Sequence, residues 1–209
     1  HINYFVIQTI DYKNYFYIGG KIKMDTGVII VIIAGIIVLF VIILYNSLVS
    51  LKNQVKNSWA QIDVQLKRRA DLIPNLINTV KGYAKHEKEL LTELTKARTQ
   101  IMSGQKSGDI NKMAKGENAL SGALKSVFAV AENYPNLKAN ENFKKLQEEL
   151  SETENQIAAA RRIYNENVTY FNTKIETFPN NILANSLGFK QRQLFEATDE
   201  EKKNVKVEF

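Results

Sequence analysis

Arg68, Arg69, Asp71 and Asn75 stand around Pro74 in the string LKRRADLIPNL, a grouping of guanidinium, carboxylate and amide groups beside a helix-breaking residue. Two guanidiniums and an amide could receive a partner's carboxylate or a lipid phosphate through charge-assisted hydrogen bonds. A simpler reading has Arg68 and Arg69 pairing with glutamates of a neighbouring long helix. Asp71 and Asn75 would then cap the backbone groups that Pro74 frees. A helix break demands such partners, so the simpler reading is preferred. Lys81, Tyr83, His86 and Glu87 form a second grouping. Histidine beside glutamate could ligate a metal, yet HEKE lacks the second histidine of the HExxH zinc signature. The chain has 0 Cys, so a zinc site at His86 would need three carboxylates or a second chain. A solvated helix start is the expectation there.

Other chemistry finds less support. A Ser/His/Asp constellation would have to use His86, and no G-x-S-x-G elbow occurs. SGQKSGD carries glycines but not the Lys-Ser/Thr pair of a phosphate loop. Glu148, Glu149, Glu152 and Glu154 resemble a di-metal carboxylate set only until the inward Glu-x-x-His pairs are sought; they read as a solvated face. No catalytic residue, metal, cofactor or small-molecule substrate is therefore expected. The net charge of +6 is modest, lacks interleaved aromatics and gathers at Lys52, Lys56, Lys67, Arg68 and Arg69, so nucleic acid is not an expected partner.

The element ahead of these residues is the run from Gly27 to Leu44, GVIIVIIAGIIVLFVIIL, without charge, amide or proline. As a helix it is about 27 Å long, close to the hydrocarbon thickness of a bilayer. Only a helix crosses as one segment, because its backbone groups bond internally. Ser47-Leu48-Val49 is a poor cleavage signature, and the run is longer than a signal h-region, so a permanent anchor is expected. Residues 1–23 begin with His1 and show no period; translation is expected to start at Met24, with the preceding stretch upstream sequence read in frame. Residues 24–45 are the anchor, 46–189 a helical bundle and 190–209 a charged tail.

Leu48, Leu51, Val55, Trp59, Ile62 and Leu66 recur every three or four positions. They make one apolar stripe that continues from the anchor as a rigid stalk. Pro74 predicts a kink or break near Asp71 to Pro74. Leu90, Leu91, Leu94 and Ile101 carry a second helix ending at Ser103-Gly104, with SGQKSGD as a flexible connection. Asp109 caps a third helix bearing Met113, Leu120, Leu124 and Val127, and Asn140 caps the longest. Its inward positions are Phe143, Leu146, Leu150, Thr153, Ile157, Ala160, Tyr164, Val168, Phe171, Ile175 and Phe178, the pattern of an antiparallel bundle or coiled coil. Pro179 ends it, and NILANSLGF reads as a short helix closed by Gly188. No strand-period stretch follows the anchor. The fold class is all-α: an N-terminal transmembrane helix continuing into an antiparallel up-and-down bundle of about four long helices.

The string WAQIDVQLKRRADLIPNLINTVKGYAKHEKELL, followed by ENALSGALKSVFAVAENYPNLKANENFKKLQEELSETENQIAAARRIYNENVTYFNTKIETFP, strongly resembles the LemA family. The likeness runs from Tyr45 to Phe209. It implies an antiparallel helical bundle on a single-pass anchor in a bacterial cell envelope, and no established biochemical activity. Residues 1–23 have no counterpart in the family pattern.

With Met24 as start, Asp25 is the charge before the anchor and the lysines follow it, which puts the bundle in the cytoplasm and the short N-terminus outside. Lys21 and Lys23 of the leader would weaken that inference. The expected function is a membrane-anchored, non-catalytic interaction or scaffold module with the bilayer and an unknown protein as partners. Ala34-Gly35 offers one close-approach point for self-association. The competing readings are an anionic-lipid sensor using the basic stalk and an enzyme with an unrecognised site around Arg69 to Asn75 and His86.

Overall fold

A computed structural model of the chain describes residues 26–83 and 87–195. The leader, His86 and the tail beyond Phe195 lie outside the described residues, and with them the expectations placed there. The chain divides into two units, His1–Ile43 and Leu44–Phe209.

In the first unit, helix α1 (Thr26–Lys81) begins and carries the apolar run. By length and composition it is able to cross a membrane. Its side chains from Gly27 through Ile43 are exposed all round, Val31 to 71% and Ile36 to 62%.

The second unit contains the rest of α1, then α2 (Lys88–Ser107), α3 (Ile110–Ala131), the short α4 (Pro135–Ala139), α5 (Glu141–Glu176) and α6 (Asn180–Ser186). No strand occurs among the described residues. Neighbouring long helices run antiparallel. Trp59 of α1 meets Tyr164 of α5, ring centroids 5.3 Å apart, Arg69 meets Glu154, and Tyr83 just past α1 meets Asn140 just before α5. Asp63 and Ala70 of α1 likewise meet Gln105 and Arg98 of α2. Phe128 of α3 meets Phe143 of α5 edge to face at 6.1 Å. The apolar stripes read from the sequence face one another: Leu48, Leu51, Val55, Ile62 and Leu66 are buried with Leu94, Ile101, Leu120, Leu124, Leu150, Ile157 and Val168. The caps also form, Asp109 accepting from the Lys112 N–H and Asn140 from the Phe143 N–H, each at 3.0 Å.

Three expectations require correction. Pro74 lies inside α1 and no break follows it. The Ala70 carbonyl that Pro74 cannot bond is met by Arg98 Nε at 2.9 Å rather than by Asp71 or Asn75. Buried Ile73 and Leu76 on either side keep the helix running, because tertiary packing outweighs local propensity. Second, α2 does not end at Gly104 but continues to Ser107. Gly104 serves packing instead: a Cβ there would stand 2.7 Å from Met113 Cγ and 2.9 Å from its amide nitrogen. Gly116 stands equally close to Ile101, so the two glycines let α2 and α3 approach. The connection shrinks to Gly108, left-handed at φ +70°, and Asp109, whose N–H bonds the Gly104 carbonyl at 3.0 Å. Third, Phe178 is not inward but 74% exposed, because α5 ends at Glu176 and the chain turns there; Leu146, near the start of α5, is half-buried. The first residues of the charged tail pack on the bundle, with Phe195 fully buried.

Candidate functional site

The Arg68–Asn75 grouping separates in three dimensions. Arg68, Asp71 and Asn75 are exposed, while Arg69 is 1% exposed, in the bundle interior. Successive residues of a helix point about 100° apart, so adjacent arginines cannot share a face. Asn75 lines a surface groove between α1 and α5 with Leu72, Asn78, Asn142 and Lys145. Lys81 and Tyr83 are exposed at the far end of α1. The Tyr83 hydroxyl accepts from Asn140 Nδ2 at 3.0 Å, so the cap of α5 is also tied to α1. Gly27 is exposed on the apolar run, and Leu44 is half-buried at the start of the second unit. Glu148 and Glu152 line a groove on α5 with Lys144 and Ser151, a solvated face.

Arg69 instead organises a polar layer across three helices. One guanidinium nitrogen donates to Glu117 Oε1 of α3 and, at 3.0 Å, to Ser121 Oγ; the other reaches Glu154 Oε2 of α5 at 3.4 Å. Glu117 is buried with Arg69, whereas the Glu154 side chain is half exposed. Burial raises the Glu117 carboxyl above its ordinary 4.5, opposed by the Arg69 charge and hydrogen bond. Among the described residues, Arg69 Nε and Glu117 Oε2 meet no hydrogen-bond partner. Replacing a buried charge pair by apolar groups is often neutral or stabilising, so this pair is weak evidence for stability. Ser121 Oγ also donates to Glu117 Oε1 at 3.4 Å, closing the layer on α3. Among the described residues, no three His, Asp or Glu side chains gather as metal ligands.

Two features escaped sequence reading. Glu117 interrupts the apolar stripe between Met113 and Leu120 at helical spacing, a legible signal for a buried charge. The other is an asparagine clasp. Asn165 Oδ1 accepts from the Phe195 N–H at 2.9 Å and Asn165 Nδ2 donates to the Phe195 carbonyl at 3.0 Å. Asn172, two turns along α5, treats Arg192 identically at 2.8 and 2.9 Å. The Tyr164 hydroxyl adds a bond to the Gln193 carbonyl at 2.8 Å. The side-chain amides thus replace the neighbouring strand that this extended segment lacks. Phe195 is drawn in against Trp59, centroids 6.1 Å apart.

The chain is similar to known proteins. The LemA family model matches residues 58–209. Protein LemA of Metamycoplasma hominis is 30% identical over 165 residues, covering 77% of this chain and 72% of its own. Magnetosome protein MamQ 2 of Paramagnetospirillum magneticum is 26% identical over 175 residues, covering 73% of this chain and 64% of the relative. Magnetosome protein MamQ of Magnetospirillum gryphiswaldense is 22% identical over 174 residues, covering 72% and 64%. The chain thus spans slightly under two thirds of these magnetosome relatives. With the matched stretch covering the buried arginine layer and the four long helices' packing, the chain belongs to the LemA family.

Proposed function

We propose that the chain is a membrane-anchored, non-catalytic scaffold of the bacterial envelope that presents its bundle surface to a protein partner or a second copy. One observation carries this reading: α1 exposes apolar side chains on every side up to Ile43, then buries a single stripe from Leu48 onward. A helix apolar all round suits lipid, and one with a single apolar stripe suits a soluble core. Arg68, Asp71, Asn75, Lys81 and Tyr83 form the exposed candidate contact surface. Gly35 has open space around its Cα, which suits close approach of a second α1. The bundle is assigned to the cytoplasmic side from exposed Lys52 and Lys56 after the span.

The test is purification of the full chain from membranes in mild detergent. A stoichiometric protein partner, lost on charge reversal of Arg68, supports the scaffold. Copurifying anionic lipid alone supports a lipid sensor acting through Lys52 and Lys56. Turnover that depends on pH and vanishes with His86 supports an enzyme. A cysteine added to the tail and probed on intact cells with an impermeant thiol reagent decides orientation, and labelling would overturn the cytoplasmic assignment.

A further inference from the structure

The corner between α5 and α6 exposes three large apolar side chains, Phe178, Ile182 and Leu187. The antiparallel register sets its height on α1. Trp59 meets Tyr164, and the same number of residues leads from Trp59 back to Leu48 as from Tyr164 on to Ile175. Leu48 and Ile175, both buried, therefore share a level, and Phe178 lies beyond it. Leu48 stands about 6 Å along the helix from Leu44, the end of the apolar run. The polar headgroup layer on each side of a bilayer is about 5–7 Å deep. Phe178 thus stands on the side of that level nearer Leu44. Basic groups ring the corner: Lys52 Nζ lies 5.8 Å over the Phe189 ring, Lys174 Nζ 5.7 Å over Tyr170, and Lys190 is exposed. Among the described residues there, exposed Glu176, bonded to Gln191, is acidic.

Exposed aromatic and aliphatic side chains beside lysines are the composition of an interfacial membrane contact. We propose that this corner embeds in the headgroup layer of the bilayer that the apolar run crosses, favouring anionic lipid. The bundle is thereby held to the membrane at a second point. The proposal rests on the anchor reading and extends it from a tether to a fixed seating.

The chain has 0 Cys, so single-cysteine variants label cleanly. Full chains carrying Phe178→Cys, Ile182→Cys, Ile36→Cys or Tyr83→Cys are labelled with an environment-sensitive fluorophore. They are reconstituted in phosphatidylcholine–phosphatidylglycerol vesicles containing shallow or deep lipid quenchers. The expected result is blue-shifted emission with shallow quenching at 178 and 182, deep quenching at 36, and neither at 83. Water-like emission at 178 and 182 with quenching at 36 overturns the seating and leaves the anchor. Loss of quenching at 36 overturns both. A blue shift at 178 or 182 without lipid quenching shows protein covering the corner and overturns the seating. Both sites are exposed, and agreement between them guards against one misfolded variant.

Discussion

Arg98 on α2 donates from Nε, at 2.9 Å, to the carbonyl of Ala70 on α1, the acceptor that Pro74 deprives of its helical donor. A proline four residues on leaves that carbonyl unbonded and crowds it. A guanidinium from the adjacent helix meets the buried acceptor and fixes the relative height of α1 and α2.

Replacing Arg98 with Met leaves the Ala70 carbonyl unsatisfied and is expected to destabilise the bundle by about 1–3 kcal/mol. In a Pro74→Ala background the helical N–H returns, so the same change should cost less. A double-mutant cycle from urea unfolding measures that coupling. Equal costs in both backgrounds would show that Arg98 acts through packing alone.

Arg69→Met strands Glu117 in the core and is expected to cost about 3–5 kcal/mol. The paired change Arg69→Met with Glu117→Leu removes both charges. Because each partner already has a buried unsatisfied atom, the double variant should be no less stable than the parent. Thermal or urea melts of the three proteins decide it, and a double variant clearly less stable than the parent contradicts this account.

The Glu117 carboxyl binds its proton more tightly folded than unfolded, since burial raises its pKa from 4.5. The native state therefore holds more protons than the unfolded chain in the window above 4.5, and stability contributed by this group falls as pH rises through it. Relative to Glu117→Gln, the parent should lose urea stability from pH about 4.5 upward, as the linkage slope requires. Parallel pH profiles of the two proteins would rule the effect out.

The clasp predicts graded losses. Phe195→Ala empties the space beside Trp59 and should cost about 3–5 kcal/mol. Asn165→Ala leaves a half-buried N–H and carbonyl unpaired and should cost about 1–3 kcal/mol. Asn172→Ala at its exposed bond pair should cost under about 1 kcal/mol. Proteolysis of the segment after Gly188 should accelerate in the same order.

The helices, their apolar stripes, the caps at Asp109 and Asn140 and the long apolar run were legible in the sequence, because 3.6-residue periodicity and capping chemistry are local. What tertiary structure alone decided were choices between residues distant along the chain. Arg69 goes inward to Glu117 while Arg68 stays out, Pro74 is absorbed because Arg98 arrives from α2, and Gly104 continues a helix because Met113 lies against it. The tail's first residues are ordered by Asn165 and Asn172, which carry no local sign of a backbone partner. A residue's own sequence neighbourhood sets its propensity, but whether a break, a charge or an extended segment is stabilised depends on the group that packing brings to it.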